Sequence, residues 1–249
     1  MKKIIFLLFT TVFLLAFTPM LNSDSVESDF FKVTPISHAT MVLDLDGTII
    51  YVDPVGGAAL FSEQPKPDII LITDIHGDHL NLETIIAINT PKTKIIAPEA
   101  VSKKLIGDNK LQIETLDNGA TTTQNGIDIE AIPMYNLREE AKKFHAKGRG
   151  NGYVIEKNKK RIYISGDTED IPEMRTLKNI DAAFVCMNLP YTMTVESAAD
   201  AVLEFKPKAI YPYHYRGTEG LSDVKQFKKL IEKGGRKIEV IQLDWYPKK

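Results

Sequence analysis

Two histidines and two aspartates fall within the six residues Asp74-Ile75-His76-Gly77-Asp78-His79, directly after the apolar run 69–72. Neutral imidazoles and carboxylates are ligands that Zn²⁺ takes at roughly 2.0–2.2 Å. Side chains this close cannot all reach one ion from a regular strand, because neighbours point to opposite faces. They can serve two adjacent ions if the chain turns between His76 and Asp78, and Gly77 permits such a turn. A polar turn after a strand is the alternative, and it would suffice for one histidine better than for this group.

Further ligands are expected where other strands end. Asp167, in Gly166-Asp167-Thr168, follows a strand ending at Ser165. It could bridge two cations held about 3.5–4 Å apart, or cap a helix starting near Ile171. His214 follows Tyr211-Pro212-Tyr213 at the end of another apolar run. It reads as a ligand in this series, or otherwise as a core histidine.

The elements that must position these groups alternate along the chain. The run 69–72 reads as a buried strand, and a strand end is a rigid point from which ligands can converge. Ahead of it, 31–36, 40–45 and 48–52 read as strands, the last two joined by an Asp46-Gly47 hairpin turn. A turn over 53–57 follows. After the cluster come a helix over 82–88, a strand over 94–97, and a helix beginning near Pro98, where proline suits the first turn. Strands over 112–116 and 127–134 follow, separated by a turn-rich stretch 117–126. In the second half, 152–156 and 161–165 form a hairpin, 182–187, 209–213 and 238–243 are strands, and 172–177, 195–205 and 223–232 are helices. No repeat and no Pro/Gly/Ser-rich linker divides residues 30–249, so one compact domain is expected, with sheets inside and helices outside.

Net charge is −2 with no basic stripe, which argues against nucleic acid as the main partner. Cys186 is the single cysteine, so no intramolecular disulfide can form, and its apolar surroundings predict a buried, inert thiol. Lys2 and Lys3 precede an apolar run over 4–17 and a polar stretch over 22–29. This layout predicts a secretory signal peptide over about residues 1–23 and a periplasmic or extracellular protein. No cysteine follows to carry a lipid, and no clean small-x-small triplet marks cleavage. The alternative is an uncleaved N-terminal anchor, the one expected contact with a membrane.

With Thr73-Asp74-Ile75-His76-Gly77-Asp78-His79, Ser165-Gly166-Asp167-Thr168 and Tyr213-His214-Tyr215, the chain resembles the metallo-β-lactamase superfamily of metal-dependent hydrolases. Ile132-Pro133-Met134-Tyr135-Asn136, Phe144-His145-Ala146-Lys147-Gly148 and Gly152-Tyr153 resemble the branch near the ascorbate-phosphate lactonases and the N-acylphosphatidylethanolamine phospholipases. The resemblance implies an α/β fold, a four-layer αβ/βα sandwich, with two metal ions at one edge between the sheets. It departs at Asp74, where the family pattern has histidine; a carboxylate there makes the first site harder, so Mn²⁺ or Fe²⁺ joins Zn²⁺ as a candidate. It departs again at Tyr135-Asn136, where a histidine is expected, and His145 is the candidate replacement, or else a surface histidine beside Lys142, Lys143 and Lys147.

The ligand set implied is Asp74, His76, Asp78, His79, His145, Asp167 and His214. His38 lies in a loop that similar proteins place near the metals, and it is expected with Asp78 among the catalytic groups. Asp53 is expected to orient a ligand histidine, or to be a plain turn residue before Pro54. Tyr191, Tyr213 and Tyr215 could donate to a substrate oxyanion or simply pack. A hydrolase acting on a small-molecule ester, lactone or phosphodiester follows, β-lactams being less expected. The rivals are a di-iron redox protein on the same fold and a secreted binding protein without catalysis, the latter opposed by the ligands retained.

Overall fold

The computed structural model describes residues 25–107 and 111–246. The leader expected over residues 1–23 lies outside the described residues. Among the described residues, no helix is long and apolar enough to cross a membrane.

The first sheet takes its strands in chain order: β1 (Val26–Glu27), β2 (Lys32–Ser37), β3 (Thr40–Leu45), β4 (Thr48–Val52), β5 (Ile69–Leu71), β6 (Lys94–Ala97) and β7 (Gln112–Thr115). The first four pair antiparallel and the rest run parallel. Asp46 and Gly47, both at positive φ, close the β3–β4 turn with the chemistry that a two-residue hairpin requires. Successive side chains of a strand point to opposite faces, and both faces here are apolar. Ile50, Val52, Ile69 and Leu71 enter the core between the sheets. Ile49, Tyr51 and Ile70 pack with Ile85 and Ile88 of α1 (Leu82–Ile88) and Val101 and Leu105 of α2 (Glu99–Leu105). Asn81 caps α1 by accepting the Thr84 amide at 2.8 Å. Pro98 stands at the N-cap of α2, one position ahead of the first turn expected for it.

The second sheet contains β8 (Thr121–Gln124), β9 (Ile127–Met134), β10 (Gly150–Lys157), β11 (Lys160–Ile164), β12 (Ala182–Val185) and β13 (Ala209–Pro212). A small hairpin, β14 (Arg216–Gly217) and β15 (Gly220–Leu221), precedes the closing β16 (Glu239–Val240). The spatial order is β16-β13-β12-β11-β10-β9-β8, with β11, β12, β13 and β16 parallel. The helices of this half are α3 (Pro172–Arg175), α4 (Val195–Phe205) and α5 (Val224–Lys233). Ala198, Ala201, Val202 and Phe205 of α4 are buried, the spacing of one helical face, and the Phe205 ring meets Tyr163 of β11 edge-on at 6.0 Å. One apolar cluster runs from Leu43, Ile50 and Leu71 of the first sheet to Ile129, Tyr153 and Ile164 of the second. Helices, sheet, sheet and helices make a four-layer α/β sandwich.

Some boundaries differ from the expectations. β8 forms within the stretch read as turns, because Thr121-Thr122-Thr123-Gln124 lacks an apolar alternation yet its β-branched residues suit a half-exposed edge strand. The last strand is confined to Glu239–Val240, and the first sheet already begins at Val26, ahead of residue 30. The sheets are stitched at one edge: the Tyr153 hydroxyl donates to the Ile72 carbonyl at 2.8 Å, and the Asn151 amide to the Thr73 carbonyl at 2.9 Å.

Candidate metal centre

That stitched edge gathers the chemical groups. β5 runs out into Asp74, His76, Asp78 and His79; β11 ends before Asp167 and β13 before His214. These are carboxyl ends of parallel strands, where open α/β sheets form their sites. β9 leads into the loop carrying His145, and Asn136 fastens that loop: its backbone N–H donates to the His145 carbonyl at 2.9 Å, and its Nδ2 donates to the Ala141 carbonyl at 2.9 Å. Gly166 sets up Asp167. Its φ is +60, and a Cβ there would lie 3.0 Å from the Asn151 carbonyl and 3.1 Å from Thr73 Cβ. His38, Asp53 and His214 also sit at positive φ, uncommon for residues with a side chain.

Asp167 is the centre of the cluster. Its Oδ2 lies 3.4 Å from His79 Nε2 and 3.3 Å from His145 Nε2, and its Oδ1 lies 3.0 Å from His214 Nε2. His79 Nε2 and His214 Nε2 are 3.2 Å apart. Asp78 faces the same point from its own loop, 3.6 Å from His214 Nε2 and 3.9 Å from His79 Nε2. On the other side of Asp167, Asp74 Oδ2 lies 2.5 Å from His76 Nδ1 and 3.8 Å from His145 Nε2. The structure therefore brings all seven expected ligands together, in one group of Asp74, His76 and His145, another of His79, Asp167 and His214, and a third in which Asp78 joins His214 and His38. Asp167 does not cap α3, whose N-cap is Ile171.

This donor set fits divalent cations. Four ligands at Zn²⁺ bond lengths stand about 3.3–3.4 Å from one another across a tetrahedron, close to the separations around Asp167. Asp167 Oδ1 is buried and makes no hydrogen bond although His214 Nε2 is only 3.0 Å away, as for two lone pairs aimed at a shared point. The charges agree. Burial works against a charge on His79, but Asp167 and Asp53 overcome it and hold the ring well above the usual imidazole range. His214, equally buried, is held below that range, its burial outweighing Asp167. Burial would raise Asp167, yet His214 and His79 keep it well below ordinary carboxylates. The carboxylates thus demand positive charge where the imidazoles meet.

Supporting groups fix the tautomers. Asp53, fully buried, takes the Thr73 amide at 2.7 Å, the Thr73 hydroxyl at 2.6 Å and His79 Nδ1 at 2.8 Å. With the Nδ1 proton of His79 directed at Asp53, it is Nε2 that would give up its proton to a cation beside Asp167 and turn its lone pair to that ion. His145 Nδ1 lies 3.1 Å from the Tyr191 carbonyl, which leaves its Nε2 toward Asp74 and Asp167 in the same way. His38 reaches Asp78 Oδ2 through Nε2 at 3.2 Å and the Tyr246 hydroxyl through Nδ1 at 2.8 Å, with its ring 4.0 Å from that of His214. Tyr213 packs beside Phe184 and Trp245, and the Tyr215 hydroxyl donates to the Leu243 carbonyl. Of the three tyrosines considered, Tyr191 lines the cavity of about 280 Å³ over the site, with His76, Asp78, Phe144, His145 and Asn188.

Two residues of this site escaped sequence reasoning. Arg149 donates to both oxygens of Asp74; nothing in its local sequence distinguishes it from a surface arginine. Asn188 stands past the tip of β12, and the rule that found Asp167 and His214, a polar residue after an apolar strand, would have found it too.

Comparisons with known proteins place the chain in a family. A beta-lactamase superfamily domain matches residues 32–214. A UPF0173 metal-dependent hydrolase from Thermococcus onnurineus is 33% identical over 85% of this chain and 96% of its own length. A crystal structure from Parabacteroides distasonis, described as a candidate metal-dependent hydrolase, is 41% identical, covers 87% of this chain and 94% of that one, and superposes with a TM-score of 0.78. The metallo hydrolase Igni18 from Ignicoccus hospitalis shares the fold, with a TM-score of 0.71 at 23% identity over 86% of this chain and 95% of that one. The chain belongs to the metallo-β-lactamase superfamily of metal-dependent hydrolases.

Proposed function

We propose that the enzyme hydrolyses a small ester, lactone or phosphodiester with a pair of divalent cations, Zn²⁺ first and Mn²⁺ or Fe²⁺ next, and that it works outside the cytoplasm. Asp74, His76 and His145 would hold one ion, Asp78, His79 and His214 the other, with Asp167 between them. Bound there, such ions supply a water acidified to near pKa ~7 and polarise the scissile oxygen. Asp78, on the cavity side, orients the water, and His38 holds Asp78 in that direction. Asp53 and the Tyr191 carbonyl keep His79 and His145 in the ligand tautomer. The leader-like run behind Lys2 and Lys3 supports export.

The observation that carries this reading is the set of 3.0–3.4 Å separations around Asp167 from three imidazoles. Elemental analysis of protein prepared without added metal tests it, paired with Asp167→Ala. That variant is expected to lose metal and turnover together; unchanged metal content and rate would remove Asp167 from the site. One feature favours a second reading, a di-iron redox centre: the carboxylate of Asp74 at a position where the family pattern has imidazole. Colour and oxygen consumption by the iron-loaded protein would select it.

A further inference from the structure

The sheet order places β12 between β11 and β13. Asp167 follows β11 and His214 follows β13, so the tip of β12 lies between them, and the Met187 amide reaches the His214 carbonyl. The next residue is Asn188, 2% exposed and part of the cavity lining together with Asp78 and Asp167. Its amide is locked. Thr192 Oγ1 takes the Asn188 backbone N–H at 2.9 Å and gives its own hydrogen to Asn188 Oδ1 at 2.5 Å. A separation of 2.5 Å is that of an O–H···O bond and too short for N–H···O, so Oδ1 is the bonded atom and Nδ2 is the free one. Among the described residues Nδ2 has no acceptor; the residue is buried, yet this donor atom is not among those sealed in the core and stands open to the cavity that Asn188 lines.

The cavity also indicates the charge of its occupant. Its lining carries carboxylates, imidazoles, an amide and the aromatic pair Phe144 and Tyr191, packed edge to face at 5.1 Å. It includes no lysine or arginine among the described residues. The nearby cations are engaged elsewhere: Arg149 on Asp74, Arg138 on Glu169 and Lys147 on Glu173. Lys143 is exposed and sits over the Phe144 ring at 5.0 Å, outside the lining. Away from the ions that Asp167 and its neighbours would hold, a charged group on the substrate would meet no guanidinium or ammonium donor on the cavity wall, only a neutral N–H and aromatic faces.

We infer that Asn188 is a catalytic residue whose Nδ2–H receives the carbonyl oxygen of a small, uncharged ester or lactone, with the apolar part of that substrate against Phe144 and Tyr191. The inference rests on the hydrolase reading above and narrows its substrate class. In the reaction a water oxygen bonds to the acyl carbon, the bond from that carbon to the alkoxy oxygen breaks, and a water proton ends on the departing oxygen. The products are a carboxylic acid and an alcohol, or one hydroxy acid from a lactone. Negative charge grows on the carbonyl oxygen in between, and a fixed N–H aimed at it is worth most at that moment.

The test uses the full chain loaded with Zn²⁺ or Mn²⁺, a p-nitrophenyl ester of a short fatty acid, an unsubstituted γ- or δ-lactone, and bis(p-nitrophenyl) phosphate. The wild type is expected to prefer the ester or lactone over the phosphodiester in kcat/KM. Asn188→Ala should lower kcat on the preferred substrate about 10²–10³-fold, with KM within a few-fold and metal content unchanged. Asn188→Asp keeps the shape and the Thr192 bond but loses the donor, so it should fall as far while melting like the wild type. Wild-type kcat in both variants overturns the role of Asn188. Preference for the phosphodiester overturns the uncharged acyl class but leaves the hydrolase reading standing. Failure of the metal-loaded wild type on all three substrates overturns both.

Discussion

Arg149 grips both carboxylate oxygens of Asp74, Nε at 3.2 Å from Oδ1 and Nη2 at 3.1 Å from Oδ2. Asp74 places a negative charge in a fully buried position. Arg149 supplies the compensating charge from the neighbouring start of β10, which offsets the cost of burying the carboxylate. Removing one partner of a buried pair destabilises by up to about 3–5 kcal/mol, because the other charge is left uncompensated. Arg149→Ala should therefore melt well below the wild type in chelator. Saturating divalent metal should narrow the gap between the two, since a cation at Asp74 replaces the lost charge. Equal gaps with and without metal, measured by thermal unfolding, would show that Asp74 does not touch an ion.

Asp53 acts on the opposite group. It holds His79 Nδ1 at 2.8 Å while Thr73 occupies its other bonding positions, so the ring cannot turn or change tautomer cheaply. Groups of this kind typically account for 10–100-fold in metal affinity. Asp53→Asn is expected to weaken binding by about that factor while the sheet around it stays folded. Competition against a chromogenic chelator gives the number directly. Affinity equal to wild type would assign Asp53 to the β4 turn alone.

Much of this site was legible because of where strands end. Apolar runs followed at once by Asp or His mark residues that a sheet edge must expose, and this single rule located Asp74 through His79, Asp167 and His214. His145 was harder, since it rides on a loop; its place depended on the absence of a histidine at Tyr135-Asn136. Arg149 could not be read, because its meaning lies in a partner distant in sequence. The fold was legible wherever both faces of a strand are apolar, as in β4 and β5, and illegible at the polar edge strand β8. There, pairing with β9 rather than any hydrophobic pattern makes the strand.

Gly166 has no room for a side chain. At φ +60 an added methyl would press on the Asn151 carbonyl, Thr73 Cβ and Met134 Sδ at once, and an L-residue held in this region costs about 1–3 kcal/mol on conformation alone. The Met134 thioether can move aside, but the Asn151 carbonyl belongs to the strand that stitches the sheets together. Gly166→Ala should lower the denaturant midpoint by an amount equivalent to at least this cost. Because Asp167 is the next residue, metal affinity should fall with it. A variant with the wild-type midpoint and affinity would mean that the turn relaxes freely, contrary to the packing around it.

Cys186 gives an independent probe of the tip of β12, the strand beside β11. Burial pushes its thiol up to about 12, with the Asp167 charge adding to the shift. The thiolate is the reactive form, so at pH 8 almost none is present, and the side chain is in any case fully covered. A disulfide reagent such as dithiobis(nitrobenzoate) should therefore label the folded protein no faster than the chain opens, and label it at once in denaturant. Metal that binds only the folded state lowers the open population by mass action, so loading should slow labelling further. Asp167→Ala should abolish that extra protection while leaving denatured labelling unchanged. Rapid labelling of the folded, metal-loaded protein would mean that the tip of β12 is open to solvent, and Asn188, two residues further on, could not then be held as a fixed donor.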